Sequence, residues 1–149
     1  MEIIYYEDLE LHKKLNVGNY HVDKEEMIEF AKKWDAKPFH IDEELAKSYP
    51  SGGLIAPLTY TMSIMSRLGS ISERSVLAYL AALEVERLKI INPVRPGDQL
   101  FITEEYIDKR ESRTRSDCGI VRILYEVRKQ NDDLCISSIF LTLVAKRPI

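Results

Sequence analysis

Residues 54–69 read LIAPLTYTMSIMSRLG, and the fold turns on how this stretch is packed. Pro57 suits a first helical position, where its missing N–H would go unbonded anyway, and Gly69 suits the residue just past the end. Between them Leu58, Tyr60, Met62, Ile64, Met65 and Leu68 are spread around the helix instead of along one stripe. The polar positions are mostly small: Thr59, Thr61, Ser63 and Ser66. A helix apolar nearly all round is a buried one, so this segment predicts a central helix with other elements wrapped about it.

The wrapping comes from downstream. Residues 80–91 are rich in apolar and β-branched side chains, and their alternation changes phase near Glu86-Arg87, where a bulge would absorb one residue. Pro93-Val94-Arg95-Pro96-Gly97-Asp98 reads as a turn. Leu100, Ile102 and Tyr106 then stand against Phe101, Thr103 and Ile107, a strand with both faces partly covered. Val121, Ile123, Tyr125 and Val127 alternate with Arg122, Glu126 and Arg128; Ile139, Leu141 and Leu143 alternate with Phe140, Thr142 and Val144. The turn-rich gap at 130–133 makes those two runs a hairpin.

Upstream the pattern is helical. After an extended piece at 19–22, Asp23 is placed to cap a helix while Glu26, three residues on, reaches back. Met27, Ile28, Phe30, Ala31 and Trp34 follow at helical spacing, and Trp34 is expected to anchor this helix in the core. The helix should stop before Pro38, because the residue preceding a proline avoids the α region. Asp42 is a cap for a short second helix. Helices first and strands second predict an α+β fold, an antiparallel sheet curled around one buried helix.

The chain has 149 residues, the length of one ordinary domain, and 1–149 reads as a single domain with no repeat or linker. At 45% apolar and 30% charged residues it has a soluble globular balance. A net charge of −3 argues against a nucleic-acid partner, since phosphate binding needs a concentrated excess of Lys and Arg. The apolar runs fall far short of the ~20 residues of a membrane span. Cys118 and Cys135 make neither a disulfide framework nor a zinc site; they read as small buried hydrophobes. The expectation is a cytoplasmic protein in a reducing compartment.

His12 and His21 stand alone among ordinary neighbours. His40 differs, because it lies in Trp34-Asp35-Ala36-Lys37-Pro38-Phe39-His40. Five residues apart on one helix, Asp35 and His40 would be poorly aligned. Pro38 ends the helix between them, so both can leave one rigid corner pointing the same way, as a general acid–base pair. The alternative at this point is structural: Asp35 caps the next turn and His40 packs. Gly52-Gly53 leads into the central helix, whose free N–H groups and positive dipole end could hold a developing oxyanion. Here too the alternative is a glycine turn that only admits a loop to the core.

The two segments together, WDAKPFHIDEELAKSYPSGGLIAPL at 34–58, closely resemble the MaoC-like acyl dehydratase family, which includes the (R)-specific enoyl-CoA hydratases of the hot-dog fold. The family pattern is Asp, two variable residues, Pro, an apolar residue and His, followed by a Gly-Gly-Leu-Ile-Ala segment opening the central helix. IINPVRPGDQL further on is similar to its Pro-Val-x-x-Gly-Asp turn. The resemblance implies a hot-dog domain and reversible hydration of a trans-2-enoyl thioester to the (R)-3-hydroxyacyl thioester. Asp35 and His40 match the catalytic pair, and the backbone N–H of Leu58 matches the oxyanion donor. Gly53, Ala56, Pro57, Met62 and Ser66 match substrate-lining positions. It implies no metal or redox cofactor, with coenzyme A entering as part of the substrate or an acyl-carrier protein in its place. It also implies a homodimer whose sheets join edge to edge, or a higher homo-oligomer built from it.

Two positions depart from the family pattern. Pro57-Leu58 replaces the His-Gly or Ser-Gly of many members; Leu58 can still donate, but its bulk could shorten the acyl pocket. Lys37 stands where hydratases often have Asn. The rival reading is a non-catalytic acyl-thioester binding protein or partner subunit, favoured by Pro57-Leu58 and opposed by retention of Asp35 and His40. A thioesterase on the same fold would not share the Asp-x-x-Pro-x-His element. Lys109, Arg110, Arg113 and Arg115 could meet coenzyme A phosphates but read better as a solvated loop. Asp98 reads as a turn-shaping residue.

Overall fold

The computed structural model describes residues 2–71 and 75–149. In chain order the elements are β1 (Ile3–Ile4), a 3-10 turn (Tyr6–Asp8), β2 (Lys14–His21), α1 (Lys24–Trp34), α2 (Pro38–Ile41), α3 (Glu43–Ala46), α4 (Leu58–Ile71), β3 (Val76–Leu77), β4 (Tyr79–Ile90), β5 (Gln99–Glu111), β6 (Cys118–Arg128) and β7 (Leu134–Ala145). Five strands form one antiparallel sheet in the order β2-β5-β6-β7-β4. The expected hairpin is β6–β7, and the chain is α+β, an antiparallel sheet packed on one long helix. β1 and β3 pair separately, in parallel.

The core lies where α4 meets the sheet. Leu100, Ile102 and Val127 are fully buried against Tyr60, Ile64 and Leu68 of α4, with Val22 and Met27 closing one end. Each such side chain contributes roughly 1.5–3 kcal/mol by leaving water. Gly18 lies at the bulge in β2 with φ 152°, a conformation that residues with a Cβ rarely adopt, and Leu68 of α4 packs beside it. Cys118 and Cys135 are buried and form no disulfide, as expected; Cys135 Sγ donates to Asp133 O at 3.7 Å.

Several expectations need correction. α4 is buried along one stripe, Tyr60, Thr61, Ile64 and Leu68, while Thr59, Ser63, Ser66 and Arg67 are exposed. Three of the four small polar residues, Thr59, Ser63 and Ser66, mark the open side, while Thr61 is buried, because the sheet covers the helix from one direction only. Gly69 lies inside the helix, which runs on to Ile71, and Pro57 immediately precedes it. Trp34 is 66% exposed; it sits under the Lys33 ammonium, 5.0 Å from the ring centroid. The core at that end is filled by Phe30 and Phe39 instead. Asp23 caps α1 as expected, accepting from Glu26 N at 2.9 Å. Glu26, however, does not complete a capping box in its side chain's contacts: its carboxylate accepts from Tyr20 Oη and Tyr60 Oη at 2.8 Å. It thereby ties α1 to β2 and α4. In β5, Leu100, Ile102 and Tyr106 are buried, while on the opposite face Phe101 is exposed and Thr103 and Ile107 are half-buried, so both faces are partly covered as expected.

The alternation break in the strand after the central helix is a real bulge. β4 slips against β7 between Glu86 and Lys89, and Arg87 takes φ 51° there. β4 is also an edge of the sheet, and Tyr79, Leu83, Val85, Leu88 and Ile90 are exposed along it, Ile90 by 64%.

Candidate active site

Asp35 is the residue at which α1 ends; its N–H still donates to Ala31 O at 2.8 Å while its backbone leaves helical geometry. Pro38, whose ring cannot continue a helix from α1, opens α2 at its first position. Within this corner His40 turns back toward Asp35. Its Nε2 stands 3.5 Å from Asp35 Oδ2. His40 is only 5% exposed and packs edge-on against Phe39, with ring centroids 4.5 Å apart.

The second ring nitrogen fixes the tautomer. His40 Nδ1 lies 2.7 Å from Ile55 O, and a carbonyl only accepts, so Nδ1 carries the proton and donates. In the neutral ring Nε2 then presents its lone pair toward Asp35. The separation from Oδ2 is too long for a full hydrogen bond, yet short enough for one water to touch both groups. The Lys37 ammonium bonds Asp35 Oδ1 and holds the carboxyl below the ordinary carboxylate range.

The loop carrying Gly53 is pressed against this corner. Ile55 N donates to Phe39 O at 3.1 Å and Ala56 N to Val94 O at 2.7 Å. Arg95, which sequence reasoning left inside a turn, clamps the loop from behind: Nη1 donates to Leu54 O at 3.2 Å and Nη2 to Ser51 O at 2.5 Å. Its position as the first variable residue of Pro-Val-x-x-Gly-Asp was the available signal. Asp98 holds that turn, accepting from Arg95 N at 2.8 Å, Gln130 Nε2 at 3.0 Å and Lys129 Nζ at 3.2 Å. Burial alone would raise its pKa, but these donors outweigh it and keep the carboxyl low.

Beyond the loop, Pro57 is buried and Leu58, half-buried, opens α4. As first residue of the helix its N–H has no intrahelical partner. Gly53, Ala56 and Met62 are half-buried. Ser66 is exposed and lies eight residues on from Leu58, about 12 Å along the axis at 1.5 Å per residue. The structure therefore brings Asp35, His40 and Ile55 together, three residues ahead of the start of α4 at Leu58, and leaves Ser66 two turns along that helix. His12 and His21 are exposed. The basic turn is internally committed in part: Lys109 donates to Tyr6 O and Leu9 O, and Arg115 pairs with Asp117.

A half-wrapped helix on an antiparallel sheet, with Asp35 and His40 at one corner, defines a protein of the hot-dog class. The MaoC like domain family matches residues 10–127, and the chain belongs to that family. It is 30% identical over 111 residues to the uncharacterised protein YdeM of Bacillus subtilis (strain 168), covering 74% of this chain and 77% of that one. Among solved structures, the MaoC-like dehydratase from Rhodospirillum rubrum superposes with a TM-score of 0.91 at 29% identity, over 98% and 99% of the two chains. The unliganded R-hydratase PhaJ1 from Pseudomonas aeruginosa gives 0.71 at 20% identity, over 97% and 87%. No helix among the described residues is long and apolar enough to cross a membrane.

Proposed function

We propose that this chain is a hydro-lyase that adds water reversibly to a trans-2-enoyl thioester, giving the (R)-3-hydroxyacyl thioester. The observation that carries the reading is the Asp35–His40 pair, 3.5 Å apart with the histidine tautomer set by Ile55 O, beside the open N-terminus of α4. Water held by the pair attacks Cβ, and a proton reaches Cα. The transient enolate places charge on the thioester oxygen, where the Leu58 N–H would donate to it. The chemistry asks for no metal and no redox cofactor; coenzyme A or the prosthetic arm of an acyl-carrier protein enters with the substrate. Membership of the MaoC-like family supports the reaction class.

The working form is a homodimer in a cytoplasmic setting. The exposed apolar edge of β4 is the surface on which a second copy would continue the sheet, because a long unpaired edge with these side chains otherwise invites nonspecific pairing. The direct test is loss of the enoyl-thioester ultraviolet band on mixing with crotonyl-CoA and longer enoyl-CoAs, followed by chiral analysis. Turnover to the (R)-product upholds the reading. A folded protein that raises its melting temperature with acyl-CoAs but turns over none of the panel would instead be a binding subunit, the alternative that the bulky Leu58 favours.

A further inference from the structure

Lys37 has no part in the scheme above, yet it makes the third charged contact of the corner. Pro38 confines it to extended backbone, and it adopts φ −71°, ψ 143° as the residue capping α2. Its N–H donates to Asp35 O at 2.9 Å, and its own carbonyl accepts from His40 N at 2.9 Å. Its backbone is thus tied to both members of the pair. Its ammonium bonds Asp35 Oδ1, which leaves Oδ2 as the oxygen turned to His40 Nε2.

The Lys37 side chain is 57% exposed and that of Asp35 27%, and an ion pair so open to water adds little to stability. Its effect is on charge. The hydrogen bond from Lys37 is the main cause of the lowered Asp35 pKa, opposed by burial and assisted by Lys37's charge and then by His40. Among the described residues Lys37 and His40 are the charged groups acting on Asp35. The 53–58 loop brings backbone and apolar side chains, α4 opens with Leu58, Thr59 and Tyr60, and the Arg95 guanidinium lies behind the loop, spent on Leu54 O and Ser51 O.

We infer that Lys37 is a positioning residue that fixes Asp35 as a permanent acceptor beside the water, so that His40 Nε2 alone carries the proton. The inference rests on the hydratase reading. In the forward step a water O–H bond breaks and its proton passes to Nε2, the oxygen bonds Cβ, the C=C pair shifts to join Cα to the carbonyl carbon, and the carbonyl π pair moves onto the thioester oxygen. In the return step the Nε2–H bond breaks, Cα–H forms, and the thioester carbonyl is restored. One water is added and both residues end as they began. Asp35 remains a carboxylate throughout, orienting the water and stabilising the transient imidazolium.

The test compares Lys37→Gln, which removes the charge, with Lys37→Arg, which keeps it. The first readout is kcat/KM for crotonyl-CoA against pH. Loss of a cation beside the pair makes its protonation easier, so the acidic limb of K37Q should move to higher pH. A displacement of one unit means a loss of about tenfold on that limb and little loss above it. KM should be unchanged and K37R should keep the wild-type profile. A lysine that only braces the corner would lower the rate evenly across pH, and that result overturns the inference. The second readout, titration of the Asp35 carboxyl by carbon NMR, needs no turnover; its midpoint should rise in K37Q. An unmoved midpoint overturns the inference whatever the activity. A moved midpoint in a protein whose wild type is inactive overturns the hydratase reading and leaves the hold of Lys37 on Asp35 standing. Lys37→Met, which retains the aliphatic stem, serves if Gln disturbs the corner.

Discussion

His40 has one nitrogen committed to Ile55 O and one facing Asp35, so its two substitutable functions separate cleanly. Asp35→Asn and His40→Ala should each abolish hydration while circular dichroism and melting stay near wild type; near-normal turnover in either would remove the acid–base assignment. Leu58→Gly keeps the N–H that would face the oxyanion and removes only bulk. It should widen the range of enoyl chain lengths accepted, and an unaltered chain-length profile would show that Leu58 does not border the acyl group. The pair itself was legible in the sequence, because Pro38 between two chemistry-bearing residues dictates a corner whatever surrounds it. The clamp by Arg95 was not. It depends on a long side chain reaching carbonyls more than 40 residues earlier in the chain, and no local pattern encodes such a reach.

At the scale of elements, the turn before β5 is held by charge. Asp98 titrates lower in the folded chain than in the unfolded one. As pH falls, the unfolded chain therefore binds this proton first. Its contribution is complete above the unfolded carboxylate pKa near 4 and disappears as pH drops through the lower folded value. Asp98→Asn should lower the melting temperature at neutral pH and flatten the decline of stability on acidification, as scanning calorimetry would register. Between α1 and α4, Tyr60→Phe removes one bond to Glu26 while Tyr20 keeps the carboxylate partnered. A cost of about 1 kcal/mol is expected from denaturant titration. The central helix was legible from its apolar content, but its degree of burial was overstated. Apolar residues at many angles counted as wrapping, whereas Thr59, Ser63 and Ser66 carried the information about which side stays open, with Thr61 the buried exception. Trp34 misled for a related reason: helical spacing places a residue on a face but says nothing about whether the element ends before the core does.

For the whole molecule, the exposed apolar row on β4 is where the proposed association is tested. Val85→Lys on that edge should yield monomers by light scattering if β4 joins two copies; an unchanged mass would place the interface elsewhere. Strand order was the part of the fold least legible in the sequence, since β2 joins β5 across most of the chain and β4 joins β7 across two intervening strands. That order divides the molecule in time. Only β5, β6 and β7 are neighbours both in the chain and in the sheet, so they can assemble by successive hairpins, at small loop-closure cost. Asp35, His40 and the loop to α4 all leave the ribosome before any of these strands exists. The half that carries Asp35 and His40 is therefore synthesised before the strands β5, β6 and β7 that form the middle of the sheet.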